Sequence, residues 1–199
     1  MQRIGDNVAV TPDTVRAAAA AFEEADAVLV TFELPVPVIR ETILAGSRRG
    51  ARVVVHPAPP LDDSVGAASL PWDQVGVLVP SGAEARALLG GDLAGRDLAG
   101  DSLADALAAE LGVPTVVVTL GESGCVARAA GATRGYPAQK TVAVDTTGVS
   151  DAFTAAFVAQ PTAGGPIDDA IHAAQSGAAW AVGYPGARQS MPSPASGAG

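Results

Sequence analysis

The chain of 199 residues is long enough for one α/β domain with a hydrophobic core. Of these residues 48% are hydrophobic but only 4% are aromatic, so Ala, Val and Leu have to build most of the core. The formal net charge of −9 argues against nucleic acid as a partner, because an acidic chain repels a phosphate backbone, but a merely solvated acidic surface would carry the same charge.

The single cysteine, Cys125, cannot form an internal disulfide and has no metal-ligand spacing around it. We expect it to be a small core residue, and a chain without disulfides fits a cytoplasmic location. No apolar run reaches the length needed to cross a membrane, so no membrane partner is expected.

Helical and strand-like segments alternate along the chain, beginning with Thr11-Pro12-Asp13, where Thr can cap a helix and Pro fits its first position. The predicted helices span about 12–25, 36–49, 84–89, 103–111, 151–158 and 167–182. The predicted strands span 27–31, 52–55, 75–79 and 115–119, and a turn at 121–124 leads into a hairpin within 125–144. Residues 192–199 are rich in Pro, Ser, Gly and Ala and are predicted to form a disordered tail.

This alternation predicts right-handed crossovers and a mostly parallel sheet covered by helices on both faces. Ligands of such sheets bind at the carboxyl ends of the strands. The residues that directly follow each strand are therefore the first candidates for chemistry.

The segment Asp145-Thr146-Thr147-Gly148-Val149-Ser150-Asp151 lies between a predicted strand and a predicted helix. Successive N–H groups at a helix start, together with the helix dipole, attract an anion. A carboxylate at Asp151 would stand beside that anion and could accept a proton from a hydroxyl that attacks a phosphoryl group. Asp145 and Asp151 could equally be helix-capping acids without a catalytic role.

This segment resembles the D-T-x-G-A-G-D pattern of the ribokinase-like, PfkB-family carbohydrate kinases. The resemblance implies that Asp151 is the catalytic base, that Gly148, Val149 and Ser150 form the anion hole, and that Asp145 and Thr147 belong to a monovalent-cation site. Ser150 departs from the family glycine, and a Cβ there could block close approach of the phosphate or an unusual backbone conformation.

Two further segments resemble family motifs for the sugar and for magnesium. Glu33, after the strand at 27–31, resembles the glutamate that contacts sugar hydroxyls, although a solvated loop acid would look the same. Glu84 ends a segment similar to P-N-E-x-E and is implied to organise Mg²⁺ through water, while Ser81 and Gly82 depart from that motif. His56 replaces the Asn of an N-P-A-P motif and is expected to be a hydrogen-bonded loop residue.

The nucleotide would be bound further along the chain. The turn Thr119-Leu120-Gly121-Glu122-Ser123-Gly124 matches T-L-G-x-x-G, which implies that Thr119, Gly121, Glu122 and Gly124 bind nucleotide. Gln175 falls where the family contacts adenine, but an exposed polar helix face explains it as well. Ser190 lies in a segment similar to G-A-Q-x-S-x-P, whose serine completes the monovalent-cation site.

The resemblance covers nearly the whole chain. It implies a ribokinase-like three-layer α/β fold over residues 1–191, a partial nucleotide-binding domain that lacks the family's lid and sugar-binding strands on its amino-terminal side. It also implies ATP-dependent phosphoryl transfer to a sugar such as ribose, with ATP, Mg²⁺ and K⁺ as cofactors. An inactive truncated kinase that at most binds nucleotide and one half of a split kinase remain alternatives. We expect the strand at 27–31 to lie at an exposed or poorly covered edge of the sheet, which would favour a homodimer or a complementing amino-terminal chain.

Overall fold

The computed structural model describes residues 10–61, 67–90, 99–160 and 166–191. The chain divides into two compact units. The first comprises Met1–Val118 with Val126–Arg134, and the second comprises Thr119–Cys125 with Gly135–Gly199. Among the described residues, no helix combines the length and the apolar character needed to cross a membrane.

A mixed, mostly parallel six-stranded sheet runs through the described chain in the order β1 to β6. The strands are β1 Ala27–Thr31, β2 Arg52–His56, β3 Val77–Leu78, β4 Thr115–Thr119, β5 Cys125–Ala129 and β6 Ala132–Tyr136. Strands β1 to β4 pair in parallel, with Val30 opposite Val55 and Val77 opposite Thr115. β5 and β6 are joined by Ala130-Gly131, whose φ values of 49° and 80° are the positive pair that a two-residue type I′ hairpin turn requires.

Helices flank these strands in alternation. They are α1 Pro12–Ala17, α2 Ala19–Glu23, α3 Val36–Arg48, α4 Gly82–Leu89, α5 Gly100–Leu111, α6 Val149–Val158 and α7 Ile167–Val182. Short 3-10 turns form at Trp72–Gln74 and Gly121–Ser123. Local chemistry explains several ends: Thr11 and Ser81 each close a capping box, and Gly112 ends α5 in the left-handed conformation.

Aliphatic side chains fill the core of the first unit. Strands β2 and β4 bury their valines to 2% exposure or less, and Ile39 and Ile43 of α3 and Leu103 and Leu107 of α5 are all 0% exposed. Each such side chain contributes roughly 1.5–3 kcal/mol of transfer free energy when buried. The predicted Ala-, Val- and Leu-based core is therefore the core that forms. Cys125 is buried as well, and burial raises the pKa of its thiol to about 12, so it is an unreactive core residue.

The predicted order of elements is confirmed, with differences at the boundaries. The first predicted helix is broken at Ala18 into α1 and α2, and the third strand shrinks to Val77–Leu78. His56 was expected in a loop but ends β2, where it is 2% exposed and its Nδ1 lies 2.8 Å from the Val79 carbonyl oxygen. β1 is an edge strand of the described sheet, as predicted, and its Leu29 is 40% exposed. The predicted tail at 192–199 lies outside the described residues.

Candidate functional site

The turn that starts α6 is built around Gly148, which caps the helix in the left-handed conformation with φ 78°. The Ala152 N–H donates to the Gly148 carbonyl at 2.9 Å, and the Val149 N–H donates to the Thr146 carbonyl at 3.3 Å. A Cβ at Gly148 would lie 2.9 Å from Met191 Cε and 3.3 Å from Ala187 Cβ. Glycine is required here both for the backbone conformation and for close packing.

Asp145 fastens this turn to the segment that follows α7. Its Oδ1 accepts the Thr147 N–H at 2.9 Å, and its Oδ2 accepts the Gly186 N–H at 2.8 Å, from a residue 41 positions away in sequence. The two hydrogen bonds, from Gly186 first and from Thr147, hold the pKa of Asp145 below its ordinary value. The carboxylate is therefore ionised at neutral pH and bridges the two loops beside Gly148.

Asp151 lies in the first turn of α6 and is exposed, on the same short stretch as Gly148. The first-turn amides of a helix point out of it, and they carry the positive end of the helix dipole. The second residue of the helix, Ser150, is exposed too, and its carbonyl accepts the Thr154 hydroxyl at 2.8 Å. Among the described non-glycine residues only Ala130 has a positive φ, so Ser150 is not strained, and only obstruction of a ligand by its side chain remains as a reason for preferring glycine.

A second glycine-dependent turn follows β4, which ends at Thr119. Gly121 and Gly124 have φ values of 59° and 95°, and the Gly124 N–H donates to the Gly121 carbonyl at 3.0 Å. The Leu120 N–H donates to the Gly124 carbonyl at 2.8 Å, which closes the loop on itself. Glu122 is exposed at the tip of the turn. The turn therefore uses the N–H groups of Leu120, Ser123 and Gly124 internally and leaves Gly121, Glu122 and Ser123 exposed.

Gln175 does not lie on an exposed polar face, because the residue is only 8% exposed. Its Nε2 donates to the Tyr136 carbonyl at 3.2 Å and to the Pro137 carbonyl at 2.8 Å. The hairpin predicted to reach residue 144 ends at Tyr136, and the backbone from there runs along α7, where the Val144 N–H donates to the Val182 carbonyl at 2.8 Å.

Ser190 is fully buried, and its hydroxyl donates to the Ala187 carbonyl at 2.9 Å. This hydrogen bond stabilises the segment after α7, in which Ala187 and Met191 lie beside Gly148 and the Gly186 N–H donates to Asp145. The second unit thus brings together Asp145, Thr147, Gly148 and the segment ending at Ser190. No sequence motif identified the amide of Gly186 as the partner of Asp145, because a backbone donor leaves no trace in side-chain identity.

The first unit holds the two remaining predicted residues, Glu33 and Glu84. Glu33 is exposed two positions after β1 and accepts the Thr31 hydroxyl at 3.3 Å. Glu84 Oε2 accepts the Ser81 N–H at 2.7 Å within the capping box of α4. Glu84 also lines a cavity of about 150 Å³ whose other walls are apolar, among them Phe32 and Leu88.

Within the described residues, no cluster of three or more His, Cys, Asp or Glu side chains is placed to hold a metal ion. Magnesium commonly keeps several waters and uses one or two carboxylates together with substrate phosphates. The single carboxylate of Glu84 fits that mode of binding and does not fit a site made by the protein alone. Near Ser190, the Ala187 carbonyl accepts the Ser190 hydroxyl, and both oxygens of the ionised Asp145 accept backbone N–H groups.

Comparison with known proteins identifies the family. The model of the pfkB family carbohydrate kinases matches residues 5–194. The ribokinase of Staphylococcus aureus is 30% identical over 159 residues, which is 78% of this chain and 49% of that protein. The Thermotoga maritima ribokinase structure has a TM-score of 0.81 at 26% identity and covers 97% of this chain and 61% of its own.

A ribokinase from Arabidopsis thaliana, solved with ribose and ATP, has a TM-score of 0.79 at 26% identity over 90% of this chain and 57% of its own. The chain therefore spans about half the length of the first of these relatives and about three fifths of the two solved structures. The chain belongs to the pfkB family of carbohydrate kinases, and its fold is ribokinase-like.

Proposed function

We propose that this member of the pfkB carbohydrate kinases carries the phosphoryl-transfer site of an ATP-dependent sugar kinase, within one nucleotide-binding domain over residues 1–191. The observation that carries the proposal is the start of α6, where left-handed Gly148 opens the helix and Asp151 lies in its first turn. This arrangement combines an anion-binding helix start with a potential base in four consecutive residues.

In the proposed reaction, Asp151 accepts the proton of a sugar hydroxyl whose oxygen attacks the terminal phosphorus of ATP. A new oxygen–phosphorus bond forms, the bond to the leaving group breaks, and ADP departs with the electron pair. The amides of Gly148, Val149 and Ser150 would stabilise the charge on the transferred group. The Val149 amide makes only a 3.3 Å bond to Thr146, which an approaching phosphate oxygen could replace.

The nucleotide would lie on the turn after β4, with Thr119, Gly121, Glu122 and Gly124 at its surface and Gln175 beneath. The exposure of Gly121 and Glu122 supports the proposal, because main-chain groups at such turns bind anionic or ribose oxygens. The relative solved with ribose and ATP favours ATP as the nucleotide and ribose as the sugar. Glu33 would bind the sugar hydroxyls.

Two ions complete the proposal. Bound Mg²⁺ would neutralise phosphate charge, with Glu84 holding it through water. Bound K⁺ would add positive charge beside the anion hole, held by Asp145, Thr147 and Ser190. The ionised state of Asp145 supports a cation there, whereas its two hydrogen bonds show that it already has a structural role.

A second candidate is a chain that binds nucleotide but does not catalyse transfer. It would be either permanently inactive or inactive until a complementing chain supplies the sugar-closing part. The observations that favour it are the changes at Ser81, Gly82 and Ser150 from the family motifs. Holding the acceptor close supplies much of the rate of phosphoryl transfer, and weak sugar binding would forfeit that share.

Calorimetry with ADP and Mg²⁺ and phosphorus NMR of ATP with ribose, Mg²⁺ and K⁺ separate these candidates. The kinase proposal expects ADP binding and formation of a ribose phosphate, and it expects Asp151→Asn to abolish the product while ADP still binds. ADP binding without product, even when an amino-terminal ribokinase segment is added, would leave the second candidate. Failure to bind ADP at millimolar concentration would overturn both.

A further inference from the structure

Helix α7 contacts Tyr136, the last residue of β6, and the backbone at Tyr136 and Pro137 at three points, all within the second unit. Tyr136 Oη donates to Asp168 Oδ1 at 2.5 Å, and the Tyr136 and His172 rings meet edge-on with centroids 6.3 Å apart. Gln175, on the same side of the helix, donates to the carbonyls of Tyr136 and Pro137. These spacings of four and three residues place the three side chains in a row along one face.

The same backbone supports the turn at 121–124. A Cβ on Gly124 would lie 2.6 Å from the Ala138 nitrogen and 2.7 Å from the Pro137 carbonyl carbon, and it would collide with the Tyr136 carbonyl oxygen. The turn therefore rests directly on residues 136–138, without a side chain in between. A shift of that backbone toward the turn would displace Gly124 and, through the Leu120–Gly124 hydrogen bond, the rest of the turn, whereas a shift away would remove its support.

From this geometry we infer that Gln175 is a positioning residue for the nucleotide turn and acts through the Tyr136–Pro137 backbone, not through contact with the base. The inference rests on the proposed function in taking the turn at 121–124 as part of the nucleotide site. A carboxamide has two N–H donors, and Gln175 directs its nitrogen at two carbonyls, so both have acceptors. Its burial leaves little surface for adenine.

A positioning role and a base contact have different consequences for binding. Loss of the two hydrogen bonds removes a donor from each carbonyl and loosens residues 136–138, which weakens the binding of every nucleotide that uses the turn. Loss of a contact to adenine would weaken adenine nucleotides alone. The hydrogen bonds of Gln175 run to residues 136 and 137 and not to the start of α6, so we expect an anion held there to be unaffected in both cases.

The test compares Gln175→Met with Gln139→Met. Methionine keeps the length of the side chain and removes the amide in both variants. Gln139 is a matched control because its Nε2 donates to Ser176 Oγ at 2.8 Å on the neighbouring surface and does not use the Tyr136 or Pro137 carbonyls. Calorimetry measures ADP, GDP and inorganic tripolyphosphate, and hydrogen exchange of the unliganded protein follows the amides at 120–124 and 136–138.

We expect Gln175→Met to bind ADP and GDP about tenfold more weakly with their ratio unchanged, which corresponds to about 1.4 kcal/mol. Tripolyphosphate binding should stay within about twofold, and the amides at 120–124 should exchange faster, while Gln139→Met behaves as wild type. A selective loss of ADP, with GDP and exchange unchanged, would overturn the inference in favour of a base contact. If wild type binds neither ADP nor tripolyphosphate, the proposed function fails, and exchange at 120–124 still decides whether Gln175 holds the turn.

Discussion

Replacing Gly148 with alanine tests whether the left-handed start of α6 is necessary. The substitution forces a Cβ into a residue with φ 78°, which costs about 1–2 kcal/mol for an L-residue. It also brings that Cβ to 2.9 Å from Met191 Cε, a flexible side-chain end, and to 3.3 Å from Ala187 Cβ. Alanine offsets roughly 0.4–1 kcal/mol by restricting the unfolded chain. Strain less this offset leaves a loss of up to about 1.6 kcal/mol, and the two close contacts bring the expected net loss to about 1–2 kcal/mol.

Two controls separate the contributions. Gly50→Ala has the same backbone strain, with φ 77°, but nothing within 4 Å of the new Cβ, and Gly135→Ala has neither strain nor contact. Thermal unfolding should place Gly135→Ala at or above wild type, Gly50→Ala below it and Gly148→Ala lowest. For a chain of this size, the loss at Gly148 lowers the melting temperature by about 2–8 °C.

The same glycine variants also test anion binding at the start of α6. Gly148→Ala should also weaken tripolyphosphate binding, measured by calorimetry, because the first-turn amides of α6 rotate away from their common direction. Gly50→Ala should leave that binding unchanged although it is destabilised. If Gly148→Ala is as stable as Gly135→Ala and binds tripolyphosphate like wild type, the argument for a glycine-built anion site is refuted.

Three other predictions follow from single residues. Because the pKa of Asp145 is lowered in the folded state, the stability it contributes is complete above the unfolded pKa near 3.9 and is lost as pH falls through the folded pKa. The free energy of unfolding in urea should therefore fall more steeply below about pH 4 for wild type than for Asp145→Asn. Equal slopes would contradict this prediction. Because Ser150 is unstrained, Ser150→Gly should change ADP affinity by less than about threefold and cost about 0.5 kcal/mol of helix stability. A tenfold or greater gain in ADP affinity, measured by calorimetry, would restore the expectation that the serine side chain blocks the phosphate. Ala130→Asn should raise the free energy of unfolding by about 0.5–1 kcal/mol, since Asn tolerates the φ of 49° that Ala resists, and no gain in urea unfolding would show that the turn is not strained.

The sequence alone determined the features that depend on near neighbours in the chain. Runs such as Thr115–Thr119 are β-branched and apolar, and they form buried strands in the predicted places. Thr11 and Pro12 start a helix because capping and a fixed φ act within one turn. The pattern around Asp151 indicated the family, which the match over residues 5–194 confirmed. The catalytic and ligand-binding roles of the individual residues stay predictions.

Only the tertiary structure decided the features that depend on partners distant in sequence. Asp145 binds an amide 41 residues away, and Gln175 donates to carbonyls 39 and 38 residues away. His56 looked like a loop residue because its neighbour is proline, but pairing of β2 with its neighbours carries it into the core. Such contacts form when elements pack. Every residue type except proline has the same backbone donor and acceptor, so no local pattern specifies which of them a buried polar side chain will meet.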